Sequence, residues 1–318
     1  MSLDNKLHVS SSPHFKGNNS TRRIMLDVII ALMPTSVAAC VIFGLRSMVL
    51  IAICVATCVL LEYASRKIMK RDTTIGDLSA VVTGLLLALN LPVDINPLIA
   101  VFGCLIAIVV VKQMFGGIGM NFVNPALAAR IVLLVSFPSA MMHWVTVPFA
   151  PQAAQIDATT SATPLAAEAG AYSYVDLLLG RCGGSIGEVC AVALILGGVY
   201  LVIRKVISPI IPCVYLATAA LMSFFVGADP LYQLLSGGLL LGAIFMATDY
   251  TTSPVTRWGK VIYAVGCGFF TIMLRSFSNM PEGVSFSILL MNILVPLIER
   301  ATVPRTLGFI KKKKGAAK

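Results

Sequence analysis

The sequence predicts an all-α integral membrane protein, with about ten transmembrane helices in two inverted five-helix halves and several broken or short helices. Three observations predict this class. Only 12% of the 318 residues are charged, 58% are hydrophobic, and the mean hydropathy is +0.90; a soluble domain carries roughly a quarter charged residues. Apolar runs near the length of a bilayer span recur ten times. Lys and Arg fall almost wholly on alternate connections between those runs, as cytoplasmic loops of membrane proteins require.

The elements follow in order. Residues 1–22 are polar, with Lys6, His8, His14, Lys16, Arg22 and Arg23, and hold no apolar run. No cleavable signal peptide is expected there, so this reads as a cytoplasmic N-terminal segment. The first membrane half, 23–137, holds apolar runs at about 24–43, 48–64, 75–91, 97–111 and 125–137. The second half, 186–300, holds runs at about 186–203, 210–226, 234–248, 261–274 and 284–298. Several are short. The third and eighth end in polar residues (Asn90 and Asp94; Thr248 and Asp249), which points to broken or half-buried helices. Five spans per half is the parity that turns the second half over relative to the first. An echo accompanies it: Gly84 and three Leu precede Asp94, and Gly238 and three Leu precede Asp249.

With the N-terminus inside, twenty of the 24 Lys and Arg lie on inside segments and three (Arg46, Arg181, Arg275) outside. Both termini are therefore expected in the cytoplasm. Residues 301–318 form a basic cytoplasmic tail whose Lys run at 311–314 suits anionic lipid headgroups. The net charge of +10 is explained by this bias, and no nucleic-acid partner is expected. The long connection, 138–185, then faces the exterior. Its Ala, Thr, Ser and Pro content is not expected to build a core of its own, and long loops in compact proteins are usually functional.

Candidate residues come from that loop and from two span ends. Asp157, Ser161, Ala162 and Thr163 precede Pro164, placing a Thr hydroxyl among small residues with the backbone held out of helix. Asn121 and Asn124 follow the Gly116, Gly117, Gly119 run and precede Pro125. This is either an ordinary Asn-capped helix start or a polar re-entrant site in which two amides read a heteroaromatic edge or an ion. Asp249, with Thr251, Thr252 and Ser253 after it, ends an apolar segment and is a functional candidate by position. Asp77, Glu62 and Arg130 are read as helix-end or snorkelling residues. The eight Cys are scattered, and Cys182 and Cys190 read as free thiols. No metal site, Walker A or Rossmann pattern is present.

Four blocks together resemble one family. They are Ser12-Pro13-His14 with 22–32, then 116–126, then 157–165, then 245–249 with Thr252-Ser253-Pro254. The chain is similar to the membrane subunits that carry covalent FMN: the D subunit of the Rnf complex and its relative, the B subunit of the Na⁺-pumping NADH:quinone reductase. The length favours the Rnf type, and Ser161 departs from the Gly that many members have. The resemblance implies FMN joined by a phosphoester to Thr163, leaving the ring unmodified and tethered. It also implies a second, non-covalent flavin (riboflavin), for which Asn121, Asn124 and Asp249 are the candidates. It further implies a flavin transferase, partner Rnf subunits bearing iron–sulfur or flavin groups, and electron relay between ferredoxin and NAD coupled to Na⁺ or H⁺. The expected setting is a prokaryotic inner membrane. The alternatives are the quinone-reductase subunit, or a secondary transporter with no covalent flavin.

Overall fold

The computed structural model describes residues 20–145, 164–165, 172–188, 190–278 and 283–304. Among them the regular structure is helical, with no β-strand. The first half runs α1 (Thr21–Phe43), α2 (Leu45–Ile68), a single 3₁₀ turn (Ile75–Asp77), α3 (Ser79–Leu89), α4 (Pro97–Leu105) and α5 (Pro125–Ser136). α4 continues as a π-wound stretch, Ile106–Gln113. The connection carries the short α6 (Pro138–Met141) and α7 (Tyr174–Leu179). The second half runs α8 (Ala191–Ile203), α9 (Ile210–Val226), α10 (Pro230–Leu235), α11 (Leu239–Leu241) with π-wound Gly242–Met246, α12 (Arg257–Phe277) and α13 (Gly283–Thr302).

Local sequence sets these bounds. Ser20 caps α1, its side chain accepting from Arg23 N, and Thr256 caps α12 in the same way through Gly259 N. Asn96, Asn124 and Asp229 each cap a helix whose first residue is Pro. α1, α2, α12 and α13 are long and apolar enough to cross a membrane, and five shorter apolar helices accompany them. Large apolar side chains such as Val41, Leu45, Phe224 and Phe225 stand outward around one continuous core. In water such a surface would be a liability; facing lipid it is the expected exterior of a multi-pass membrane protein.

The helices pack in a repeated pattern. α2 lies on α3 and α4, and α9 lies on the 242–246 stretch and α12; α4 meets α5 as α12 meets α13; α1 crosses α8 between the halves. At that crossing Gly197 lets the backbones touch, since a Cβ there would overlap the Ala31 carbonyl oxygen. Several polar groups inside this apolar body pair with one another. Tyr215 Oη lies 2.7 Å from Thr271 Oγ1, which lies 2.6 Å from Ser287 Oγ, tying α9, α12 and α13 together.

The third and eighth apolar runs are broken, as their polar ends imply. α3 stops inside the protein at Asn90. Its last carbonyls are satisfied from across the halves, Gly187 N donating to Leu89 O at 2.7 Å and Ile186 N to Leu91 O at 3.1 Å. The end of the long connection packs on the helices around it. Tyr172, Leu177 and Cys182 form a small buried cluster against Ile42, Phe43, Tyr232 and Leu235, so this part has a core, borrowed from α1 and α10.

Candidate functional site

Asn121, Asn124 and Asp249, though 128 positions separate the first from the last, line one cavity of about 100 Å³. Its walls come from both halves: Met25 and Val28 of α1, Thr83 of α3, Val206 and Ile207 after α8, and Tyr250. The local sequence explains each placement. Gly116, Gly117 and Gly119 all have positive φ, which folds the chain back from the π-wound stretch to the start of α5. Pro125 and Asn124 then start that helix. The loop after Met246 reverses beside it, and Tyr250 Oη donates to Val206 O.

The three polar residues are not equivalent. Asn124 Oδ1 accepts from Ala126 N at 3.0 Å and Leu127 N at 3.4 Å, while its Nδ2 donates to Met246 O at 3.4 Å. Asn124 is thus the ordinary cap and a cavity residue at once, and the cap uses its oxygen. Asn121 is buried and its Oδ1 has no hydrogen-bond partner among the described residues, an open acceptor at the cavity. Asp249 lies beyond the last apolar turn and is half-buried; Thr251 Oγ1 donates to its Oδ2 at 3.1 Å and Thr252 Oγ1 at 3.4 Å. Burial raises its carboxyl above the usual range, and the threonine bonds oppose that shift.

Two buried ion networks were not expected from the sequence. Lys112, 2% exposed, places Nζ 2.9 and 3.1 Å from the two Glu62 oxygens and 2.7 Å from Ser79 Oγ, and Glu62 also accepts from Gln113 Nε2 at 3.1 Å and Thr74 Oγ1 at 2.8 Å. Lys112 and Ser79 line the same cavity. Arg130 donates to Asn90 Oδ1 at 2.6 Å and to Glu188 Oε1 at 3.0 Å, again inside the protein. Glu62 and Arg130 are therefore interior residues rather than snorkelling or helix-end ones. Burial of a charge in an apolar body holds only with such partners. Asp77 stays at the partly exposed 3₁₀ turn, a helix-end position.

Thr163 lies outside the described residues, but Pro164 and Leu165, directly after it, do not. Tyr232 Oη donates to Pro164 O at 3.0 Å, and both residues border a recess of about 510 Å³ with Tyr172, Tyr174 and Asp229. Burial pushes the Tyr172 phenol up to about 12, so it stays neutral. A hydrogen bond from Tyr174 holds the Asp229 carboxyl below its usual range. The recess sits by Ile42 and Phe43 at the end of α1, opposite the cavity at Met25. Among the described residues no group of three or more metal-binding side chains is assembled. Cys182 and Cys190 are free thiols.

Known proteins resemble this chain along nearly its whole length. A family model described as "NQR2, RnfD, RnfE family" matches residues 8–308. The chain is 49% identical over 317 residues to the D subunit of the Na(+)-translocating ferredoxin:NAD(+) oxidoreductase complex of Acetobacterium woodii, covering 98% of each chain. It is 39% identical to the D subunit of the proton-translocating ferredoxin:NAD(+) oxidoreductase complex of Clostridium ljungdahlii, over 94% of this chain and 96% of the relative. It is 38% identical to the D subunit of the ion-translocating oxidoreductase complex of Stutzerimonas stutzeri, over 91% and 93%. With nearly its whole length matched in each comparison, the chain belongs to the NQR2, RnfD, RnfE family.

Proposed function

We propose that this chain is the flavin-carrying membrane subunit of an Rnf-type complex, relaying electrons between ferredoxin and NAD with coupled movement of Na⁺ or H⁺. Its relatives are named for the D subunit of ion-translocating oxidoreductase complexes, which supports this reading over the quinone-reductase subunit and the transporter. In this reading FMN is held as a phosphoester on Thr163 in the exterior loop, installed by a flavin transferase, and riboflavin sits in the cavity of Asn121, Asn124 and Asp249. The remaining Rnf subunits supply the substrate sites and iron–sulfur centres, in a prokaryotic inner membrane with both termini cytoplasmic.

The observation that carries the second site is the convergence of three distant polar residues on one cavity with otherwise mainly apolar walls. Such a lining, with few placed polar groups, is what a heteroaromatic ligand requires. The unpartnered Asn121 Oδ1 fits a ring N–H donor, and Asn124 Nδ2 supplies the complementary donor. A bound flavin supplies one- and two-electron redox chemistry. The chain's own residues orient it, exclude water through Val28, Val206 and Ile207, and keep the Lys112–Glu62 pair beside it. At the other end the bond from Tyr232 to Pro164 fixes the backbone one residue from the attachment point.

In-gel ultraviolet fluorescence after denaturing electrophoresis, from a host with flavin transferase, tests the attachment. Wild type gives a fluorescent band whose intact mass carries one FMN, and Thr163→Val gives none. A dark wild-type band refutes the assignment. For the cavity, Asn121→Leu or Asp249→Ala lowers the non-covalent flavin released by acid, and unchanged riboflavin content would remove these residues from the site.

A further inference from the structure

Among the described residues, one buried cation is left without a counter-charge. Arg66, in the last turn of α2, is only 8% exposed, yet its Nε has no hydrogen-bond partner and no described carboxylate pairs with it. Glu62, one turn earlier and the natural partner at that spacing, is saturated by Lys112, Gln113 and Thr74. The guanidinium instead reaches the Gly116–Gly117 turn, where a Cβ on Gly117 would overlap Arg66 Nη2. Gly117 has φ +102, so the turn is shaped to admit that group. Arg71 is beside it, its Nη1 3.5 Å from Gln113 O, and Lys67 and Lys70 lie in the same segment, with Asp72 the one acid next to them in sequence. The opposing acceptor is Gln113 Oε1, itself unpartnered.

The surroundings identify the class of ligand. Ile68, Met114 and Phe115, in the same two segments as these groups, are exposed, and the Phe115 ring lies tilted against the exposed Phe122 with ring centroids 4.8 Å apart. An apolar rim around an unpaired guanidinium is what a molecule with acyl chains and an anionic head meets at a membrane interface. A planar fork of N–H donors matches phosphate oxygens.

We propose that Arg66 and Arg71, with the side-chain-free Gly117 turn, form a binding site for a phosphate oxyanion at the basic end of the bundle, taken from the headgroup of an anionic phospholipid. This site is separate from the flavin cavity and does not depend on flavin occupancy.

The test uses the full-length chain in detergent. Native mass spectrometry counts retained lipid from mixtures of phosphatidylglycerol and phosphatidylcholine, and thermal melting is followed with either lipid or with inorganic phosphate. Wild type is expected to retain phosphatidylglycerol selectively and to melt higher with it. Arg66→Gln is expected to weaken this about tenfold, the loss of one charge-assisted contact. Arg66→Lys keeps the charge without the fork and recovers part of it. A response to inorganic phosphate equal to that of the lipid assigns the same oxyanion site to the free ion and overturns the lipid assignment. Equal retention of both lipids by wild type, with no response to phosphate, overturns the proposal even if the Gln variant does not fold. So does a folded Arg66→Gln that binds as wild type.

Discussion

Replacing Lys112 by Met isolates the worth of the buried charge pair beside the cavity. Lys112 supplies contacts of 2.9 and 3.1 Å to the two oxygens of a Glu62 side chain that is 1% exposed. Met preserves much of the volume and removes the charge, leaving a buried carboxylate with only Gln113 and Thr74 as donors. Breaking a buried pair from one side costs about 3–5 kcal/mol, which for a chain of this size lowers the melting temperature on the order of 10 °C. The double variant Lys112→Met, Glu62→Gln removes both charges, and replacing a whole pair is near neutral. It is expected to recover most of the loss. Cys54, Cys58 and Cys104 are fully buried, so a thiol-reactive dye reports their exposure on heating above the background of Cys213. If the single variant melts with wild type, or the double variant melts below the single, the pair does not carry the energy assigned to it.

Three further outcomes are expected. Gly197→Leu forces α1 and α8 apart at the Ala31 carbonyl and costs about 1–3 kcal/mol by overpacking, read as a lower melting temperature and reduced yield. Arg130→Met leaves Glu188 buried without its cation and is expected to destabilise by about 3–5 kcal/mol, whereas Arg130→Met with Glu188→Gln is milder. Tyr232→Phe removes the bond to the Pro164 carbonyl, and limited proteolysis at the 157–165 segment is expected to quicken, with the melting temperature changed little.

Much of the fold was legible because its signals are local. The run at 210–226 coincides with α9, and Asn-Pro at 124–125 is a cap and first helical residue in sequence as in space. The polar ends of the third and eighth runs marked helices that stop inside the protein. What was not legible is non-local. Glu62 and Lys112 meet across fifty positions, and Arg130 and Glu188 across fifty-eight, so neither pair has a sequence spacing to read. The π winding over Ile106–Gln113 is a second cause. Its wider turn changes the angular position of each later side chain, so an α-helical wheel does not place Lys112 and Gln113. One signal was available: a Lys-Gln pair directly after a run of Ile and Val is out of place unless it is buried and bonded. The site residues Asn121, Asn124 and Asp249 were singled out by chemistry and resemblance, and only the fold shows that they share a cavity.

The separation of the two candidate sites constrains any relay through this chain. Met25 borders the cavity and Ile42 packs beneath the Tyr172 cluster next to the recess at Pro164, both on α1. At 1.5 Å rise per residue, the seventeen steps between them span about 26 Å. Electron transfer falls off exponentially with distance, so flavins seated at these two ends exchange electrons slowly through the chain alone. If both flavins are held as proposed, turnover calls for a redox centre on a neighbouring subunit between them. The isolated chain carrying both flavins is therefore expected to show two independent reduction phases after rapid mixing with reductant, and the intact complex a single coupled one. Rapid equilibration between the flavins in the isolated chain would show that they lie much closer than the ends of α1, and the placement of one of them would be wrong.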